Sequence, residues 1–323
     1  MAVYTLLDRG ELSSLLQPFG LGAVLHFEGI TAGIENSNYR VTTAGAHGIS
    51  REWVLTIFER QQASELSFHI TLLERLARRG LPVPTPQRDE QGRALQQCRG
   101  KPALLMPRLP GSHPIEPTPA QCRAIGSALG ALHRHTLDWG ATHRGHRDLG
   151  QVLHQGQRLC RLLDNPDAKL MQGELEHFRR TIAPRDLPRA VIHGDLFRDN
   201  ALFEGDRLTG VIDFFSAGTG YLMLDLAITA NDWCSGSDLA LEGVLAEALI
   251  GGYAHERAPA AAERRRWNDF LRVAALRFWI TRLEDALAPQ RGDPTAAVRL
   301  KDPGAFRELL LRRRDAPESW PPG

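Results

Sequence analysis

The stretch that most constrains the fold runs from Ala190 to Leu226, AVIHGDLFRDNALFEGDRLTGVIDFFSAGTGYLMLDL. It begins with a β-branched run typical of a buried strand and ends with a second apolar run that includes an acid. Between them, Ala201 to Phe203 and Leu208 to Ile212 predict two short strands joined by a turn at 204–206. The stretch therefore predicts a polar loop followed by a hairpin, with acidic residues near the strand ends.

Four polar side chains in this stretch have a spacing that suits phosphoryl transfer. His193, Asp195, Asn200 and Asp213 follow the order H-x-D-L-x-x-x-N and then D-F, which is typical of kinase catalytic and metal-binding segments. There an Asp accepts a hydroxyl proton, while an Asn and a second Asp hold Mg²⁺ over the phosphates of ATP. We predict Asp195 as the base and Asn200 and Asp213 as metal ligands that the hairpin brings side by side. An HGD tripeptide alone is ordinary turn chemistry, but the whole set favours phosphotransfer.

Composition and charge limit the partners. The 39 Lys and Arg residues balance 38 acids, so we expect neither nucleic acid nor an anionic membrane as a partner. Charges at Asp8, Arg9 and Glu11 interrupt the first segment, and no run approaches about 18 apolar residues, which argues against a signal peptide or a membrane span. The four scattered cysteines include no C-x-x-C pair, so we predict free thiols in the cytoplasm.

Length and patterning predict two lobes. At 323 residues the chain exceeds a soft prior of about 150 residues per domain. Alternating segments predict an antiparallel sheet with a helix at 64–79, and helical patterns dominate after residue 118. We expect an α+β fold with a small lobe at 1–106, a hinge at 107–111 and a larger, mostly helical lobe at 112–323.

The predicted small lobe departs from common ATP-binding patterns at two places. The turn at 31–37 has only Gly33 where protein kinases have G-x-G-x-x-G, and Thr56 occupies the strand position of their phosphate-pairing lysine. Glu65, at the start of the helix, either corresponds to the glutamate that pairs with this lysine or stabilises the helix dipole. Both interpretations stay open, as does an ordinary hairpin role for the turn.

Candidate nucleotide contacts come from the turn, the third strand and the hinge. In the hinge, backbone groups are expected to bond adenine, with an ordinary loop as the alternative. The assigned residues are Asn36, Ser37, Asn38, Thr56, Met106 and Leu109.

The second lobe is predicted to be helical on both sides of the opening stretch. A helix at 120–135 has one apolar face, on which Gly126 and Gly130 allow close packing. His133 is expected to be a helix-end residue rather than a ligand. Residues 164–167, Asp-Asn-Pro-Asp, predict an exposed turn between two further helices.

Several segments resemble a known family. HGDLFRDN followed by IDFFSAGTGYLMLDLA is similar to the aminoglycoside phosphotransferase and choline kinase superfamily, which shares the two-lobed protein-kinase architecture. GIENSNYRVTT at 33–43, WVLTIFER at 53–60, NDWC at 231–234 and LRFWITRL at 276–283 resemble the homoserine kinases built on that fold. The resemblance implies MgATP-dependent phosphorylation of the L-homoserine hydroxyl, on the route to threonine. It also implies that threonine in the lysine position is usual for this subfamily.

The implied acceptor makes demands that the residues can meet. Homoserine is a small zwitterion, so its pocket needs a cation for the carboxylate and an acid for the ammonium. Arg277 or Arg282 could supply the cation and Asp232 the acid, with Trp233 or Trp279 as a wall. Helical Arg and Asp are normally surface charges, which is the alternative.

Other functions stay open on sequence grounds. Choline and methylthioribose are possible acceptors, whereas the arginine-rich run at 264–266 disfavours a polycationic aminoglycoside. The absent lysine and glycine-rich loop also allow a pseudokinase that binds a nucleotide without turnover.

Overall fold

The computed structural model describes residues 3–30, 36–45, 49–145, 148–183, 186–287 and 302–321. The expected turn residue Gly33 lies outside these ranges. The chain forms two compact units, Met1–Gly111 with Thr209–Phe215, and Ser112–Leu208 with Ser216–Gly323. Residues 209–215, inside the stretch from Ala190 to Leu226, thus belong to the first unit. The predicted lobe boundaries place them in the larger lobe, at 112–323.

The first unit is built on an antiparallel sheet. Its strands have the order β1-β2-β3-β5-β4. The elements are α1 (Arg9–Leu16), β1 (Val24–Gly29), β2 (Ser37–Ala44), β3 (Ser50–Ile57), α2 (Ala63–Arg78), β4 (Leu95–Cys98) and β5 (Lys101–Pro107). Asp8 caps α1, where its carboxylate accepts from Glu11 N at 2.8 Å and Glu11 Oε2 accepts from Asp8 N at 3.0 Å.

Alternation along the strands gives this sheet two buried faces. Leu55 and Leu105 pack with Leu12 of α1 on one face, while Leu104 packs with Leu66 of α2 on the other. Since neighbouring side chains of a strand point to opposite faces, Thr56 lies on the α2 side. The alternation along β3 therefore decides that Thr56, at the position of the kinase lysine, points to the α2 side of the sheet.

The second unit is mostly helical, which together with the sheet of the first unit confirms the predicted α+β class. Its elements are α3 (Pro119–Leu137), α4 (Leu149–Leu159), α5 (Asn165–Thr181), β6 (Arg189–Ile192), β7 (Ala201–Glu204), β8 (Arg207–Val211, ending in the first unit), β9 (Gly218–Tyr221), α6 (Leu222–Trp233), α7 (Gly243–Glu256), α8 (Ala261–Arg264), α9 (Trp267–Leu287) and α10 (Gly304–Asp315). Strands β6 and β9 pair antiparallel, and β7 with β8 forms the predicted hairpin. In the described ranges, no helix has the length and apolarity to cross a bilayer.

The start of α5 corrects the predicted turn at 164–167. Asp164 is the N-cap and accepts from Asp167 N at 3.3 Å, so Asn165 is already helical. Proline in the first helical turn sacrifices no hydrogen bond, because that turn's N–H groups have no intrahelical partner. The Asn-Pro pair therefore marks a helix start.

Close packing of α3 against α7 confirms the expected use of glycine. A Cβ added to Gly126 would lie 2.0 Å from Leu249 O, and one on Gly130 would lie 2.7 Å from Tyr253 O. Any side chain at these positions would force the helices apart. The two glycines thereby bring Tyr253 next to the buried core of α3.

Candidate active site

The predicted catalytic loop connects β6 to β7 and folds back on itself. Gly194 has φ +78°, a left-handed conformation that suits glycine. His193 Nδ1 accepts from Asp195 N at 3.2 Å, and Asn200 Nδ2 donates to Asp195 O at 2.8 Å. The structure thus brings Asp195 and Asn200 together within the second unit.

Asp225 of α6 holds the beginning of this loop from behind. Its carboxylate accepts from His193 N at 2.7 Å, Gly194 N at 2.8 Å and His133 Nε2 at 3.0 Å, and it is fully buried. Burial alone would raise the pKa of Asp225, but the hydrogen bonds from His133 and from the loop N–H groups outweigh it and lower the pKa. Asp225 is therefore a buried carboxylate anion that fixes the loop backbone.

A buried polar chain continues behind Asp225. His133 Nδ1 lies 2.8 Å from the Tyr253 hydroxyl, Arg257 donates to that hydroxyl at 2.9 Å, and Glu263 pairs with Arg257 at 2.7 Å. Burial lowers the pKa of His133, so its ring is neutral at pH 7. The neutral ring donates from Nε2 to Asp225 and accepts at Nδ1 from Tyr253. His133 lies near the C-terminal end of α3 and is fully buried.

Asp232, two turns after Asp225 on α6, holds the other end of the loop. Its Oδ2 accepts from Arg198 N at 2.7 Å and from Arg198 Nε at 3.2 Å. Burial raises the pKa of Asp232, against the lowering effect of Arg198. Its side chain is only 17% exposed, so the alternative of an ordinary surface charge does not apply to Asp232. Among the described residues, no hydrogen bond is donated to Oδ1.

A cavity of about 590 Å³ lies in front of the loop. Arg282 borders it with its guanidinium 4.2 Å above the Phe306 ring, and donates to Asp302 O at 3.0 Å. Burial lowers the pKa of Arg282, while the charges of Asp302, Asp195 and Asp232 oppose that effect. The lining consists of His113, Pro114, Ile115, Phe197, Arg198, Asp199, Asn231, Asp232, Ser235, Gly236, Leu239, Arg282, Ala305, Phe306 and Leu309. Of the predicted acceptor residues, Asp232 and Arg282 thus share one cavity.

The other acceptor candidates lie elsewhere. Arg277 is only 4% exposed, and its Nη1 donates to Gly194 O at 2.8 Å, so it supports the loop and is not part of the described cavity lining. Trp233 and Trp279 are each 1% exposed and likewise do not belong to that lining. The predicted tryptophan wall is therefore wrong, because these rings fill the core.

In the first unit, the predicted nucleotide residues form local polar contacts. Thr56 Oγ1 donates to Asn38 Oδ1 at 2.8 Å, since the two residues are opposite each other on β3 and β2. The Ser37 hydroxyl donates to Glu59 at 2.6 Å and accepts from Thr5 N at 2.9 Å. The Ser37 side chain is thus engaged inside the protein.

Further polar contacts surround this end of the sheet. Glu59 N donates to Asn36 Oδ1 at 3.3 Å, and Glu59 forms an ion pair with Lys101. The carboxylate of Glu65 accepts from Gln62 N at 2.7 Å in a capping box, which is the helix-start role considered for it. Lys101 is the first residue of β5 and does not belong to β3.

The hinge candidates and Asp213 also belong to the first unit. Met106 is buried opposite Val54 of β3, and Leu109 is half-buried. Asp213 is exposed and has φ +60°, a conformation uncommon for a residue with a side chain. Phe215 anchors the segment through an edge contact with Phe58 at 4.7 Å. The predicted meeting of Asn200 and Asp213 stays a prediction.

Asp225 had no predicted role, although its position in an apolar run indicates one. The acid interrupts the apolar run LMLDLA, and an unpaired buried acid is costly, so its presence there indicates a specific partner. Its partner His133 is 92 residues away along the chain. No local pattern links the two.

The chain is similar to known proteins over nearly its whole length. The phosphotransferase enzyme family matches residues 26–267. A homoserine kinase of Pseudomonas aeruginosa (strain LESB58) is 42% identical, over 98% of this chain and 97% of its own length. One of Methylobacillus flagellatus is 39% identical, over 96% and 94%.

Solved structures show the same fold at low sequence identity. A microcompartment-associated aminopropanol kinase has a TM-score of 0.74 at 17% identity, with 95% of this chain and 97% of that chain covered. An amicoumacin kinase in complex with AMP-PNP and Ca²⁺ has a TM-score of 0.69 at 15% identity, with 92% and 90% covered. The predicted kinase-like fold is therefore confirmed.

Proposed function

Because this chain belongs to the phosphotransferase enzyme family, we propose that it transfers the γ-phosphoryl group of ATP to the side-chain hydroxyl of L-homoserine. The products are ADP and O-phospho-L-homoserine, an activity linked to threonine biosynthesis. Relatives named homoserine kinase, 42% and 39% identical over nearly the whole chain, support this acceptor.

One observation carries the proposal. The loop with Asp195 borders a cavity that has an arginine and a mostly buried aspartate among its lining residues. A zwitterionic amino acid needs this pair of opposite charges, and a volume of about 590 Å³ leaves room for it.

Each charge of homoserine then has a partner. Arg282, held over Phe306, binds the carboxylate, because a guanidinium matches the two oxygens of that group. Asp232 binds the ammonium through Oδ1, while its Oδ2 stays bonded to Arg198. Arg277 supports the loop through Gly194 instead of contacting the substrate.

Asp195 acts as the general base at the acceptor hydroxyl. As the hydroxyl oxygen bonds to the γ-phosphorus and the bond to ADP breaks, the hydroxyl proton moves to the Asp195 carboxylate. Asn200 and Asp225 hold the loop that carries this carboxylate. A preorganised base lowers the entropic part of the barrier.

The metal ligands are assigned to Asn200 and Asp213, with Mg²⁺ as the metal. Asn200 uses its amide nitrogen to hold Asp195 O, which leaves its oxygen as the ligand atom, and Asp213 supplies an exposed carboxylate. Oxygen donors of this kind suit Mg²⁺. When bound, the ion neutralises charge on the phosphates. The strained backbone of Asp213 is typical of functional positions.

ATP binding is assigned to the first unit. We propose that Asn36, Asn38 and Thr56 line the phosphate side, that Ser37 orients this turn through Glu59, and that Met106 and Leu109 lie beside adenine. The cytoplasmic location stays a prediction.

The test is an acceptor screen with a coupled ADP-release assay. L-Homoserine should give saturable, ATP-dependent turnover well above aminopropanol, choline and an aminoglycoside. Strong turnover with one of those alcohols instead would overturn the acceptor. ATP binding without turnover of any acceptor would favour the pseudokinase.

A further inference from the structure

Arg313 of α10 is a fully buried arginine whose guanidinium holds one side of the acceptor cavity. Its Nε donates to Asn231 Oδ1 at 3.0 Å, its Nη2 donates to Ser235 Oγ at 2.7 Å, and its Nη1 donates to Leu239 O. All three acceptors belong to residues that line the cavity. One planar group thus connects three points of the wall.

Arg313 holds the loop between α6 and α7, residues 234–242, whose backbone is strained at one position. Leu239 has φ +63°, which is rare for a residue with a branched side chain. Such conformations persist only where surrounding contacts over-determine them. The bond from Arg313 to Leu239 O is one of these contacts, and the bond from Leu239 N to Gly236 O at 3.0 Å is another.

Glu318 completes the arrangement. Its Oε1 accepts from Arg313 Nη1 at 3.2 Å and from Leu241 N at 3.1 Å, and its backbone N donates to Asn268 Oδ1 at 2.9 Å. The segment after α10 therefore holds the same loop from its far side and is itself tied to α9.

We infer that Arg313, with Glu318, is a positioning pair that sets the shape of the acceptor cavity from the C-terminal segment. The inference rests on the proposed function, since the cavity is the proposed homoserine site. Arg313 acts on Asn231, which precedes the ammonium-binding Asp232, and on Ser235 and Leu239 of the cavity lining. Arg313 itself is not among the described lining residues of the cavity.

Two further observations agree with this role. Phe306, Leu309, Leu310 and Arg313 are the buried residues of α10, so the arginine continues an apolar stripe at helical spacing. Burial lowers the pKa of Arg313 to about 10, which leaves it protonated at neutral pH.

The test compares Arg313→Met with the wild type. Loosening the wall should raise KM for L-homoserine about tenfold or more, because misplaced binding groups weaken the bound state. The values of kcat and of KM for ATP should stay within about twofold, since neither the base nor the nucleotide residues are touched. Arg313→Lys keeps the charge and should recover part of the affinity.

Matched variants separate this role from general destabilisation. Arg314→Gln removes the exposed neighbouring arginine and should leave all constants unchanged. Glu318→Gln is the milder change and replaces Arg313→Met as the test if that variant does not fold. It should raise KM for homoserine and leave KM for ATP unchanged. If Glu318→Gln leaves KM for homoserine unchanged while wild type is active, and Arg313→Met, where it folds, does the same, the inference is wrong. If the wild type shows no turnover with homoserine, the proposed function itself fails.

Discussion

Two aspartates of one helix hold the two ends of the catalytic loop in different environments. Asp225 accepts the backbone N–H groups of His193 and Gly194, and Asp232 accepts that of Arg198. The pKa of Asp225 is lowered, whereas burial raises the pKa of Asp232. The difference follows from the donors, because both oxygens of Asp225 accept hydrogen bonds from the described residues, whereas only Oδ2 of Asp232 does.

Asp225 supports the catalytic loop, whereas Asp232 is suited to bind the substrate. Asp225 is fully buried and both of its oxygens already accept hydrogen bonds, so its role is to fix the loop. A buried carboxylate with one oxygen left over gains most from an arriving cation, so Asp232 is suited to an ammonium group. Residues seven apart on a helix lie on one face, which lets α6 serve both ends of the loop.

The largest effect is expected for Asp225→Asn. The change removes the charge that His133 and two N–H groups face, and turns a donor toward them, which should cost about 3–5 kcal/mol of unfolding free energy. Chemical denaturation monitored by circular dichroism measures this loss, and catalytic activity should fall with it. Glu176→Gln, at an exposed acid of α5, is the control and should leave stability unchanged. An Asp225→Asn protein with wild-type stability would contradict the supporting role.

A smaller and different effect is expected for Asp232→Asn. The amide keeps an acceptor for Arg198 N but loses the charge for an ammonium, so KM for L-homoserine should rise about tenfold to a hundredfold. The raised pKa means that the ionised carboxylate opposes folding above its unfolded pKa, so the melting temperature should hold or rise. A fall in melting temperature with unchanged KM would make Asp232 a second supporting residue.

The smallest effect concerns pH and His133. Its folded pKa is lowered, so below an ordinary pKa of about 6.5 the unfolded chain binds a proton that the folded chain does not. This contribution to stability is present above that pKa and is lost as pH falls, with a slope of up to about 1.4 kcal/mol per pH unit. The groups that face the ring are Asp225, Tyr253 and, through Tyr253, Arg257.

The measurement is the free energy of unfolding of wild type and His133→Gln between pH 5.5 and 7.5. The variant should lose less stability on acidification than wild type does. His154→Gln, which changes an exposed histidine of α4, should keep the wild-type slope. Identical slopes for wild type and His133→Gln would show that the ring is protonated in the folded state.

Short sequence patterns predicted the features that depend on residues close together in the chain. The hairpin after the catalytic loop depends on a few neighbouring residues. The Asp195 and Asn200 spacing belongs to this class, because one loop holds both residues.

The remaining features depend on contacts that are distant along the chain. Arg277 looked like a surface charge, but the carbonyl that it binds belongs to Gly194, 83 residues earlier. Arg313 stands in the charged run RRRD, and only its helical spacing from Phe306 and Leu309 distinguishes it from its exposed neighbour. Burial of a charge is decided by partners on other elements, which a single sequence does not show.

The central claim is that Asp195 removes the proton of the homoserine hydroxyl. Its most direct test is turnover of ATP with L-homoserine by wild type and by Asp195→Asn, with the phosphorylated product identified by ³¹P NMR. The account predicts formation of O-phospho-L-homoserine and a kcat about 10²–10⁴-fold lower in the variant, at unchanged ATP affinity and melting temperature. A variant with wild-type kcat would contradict it.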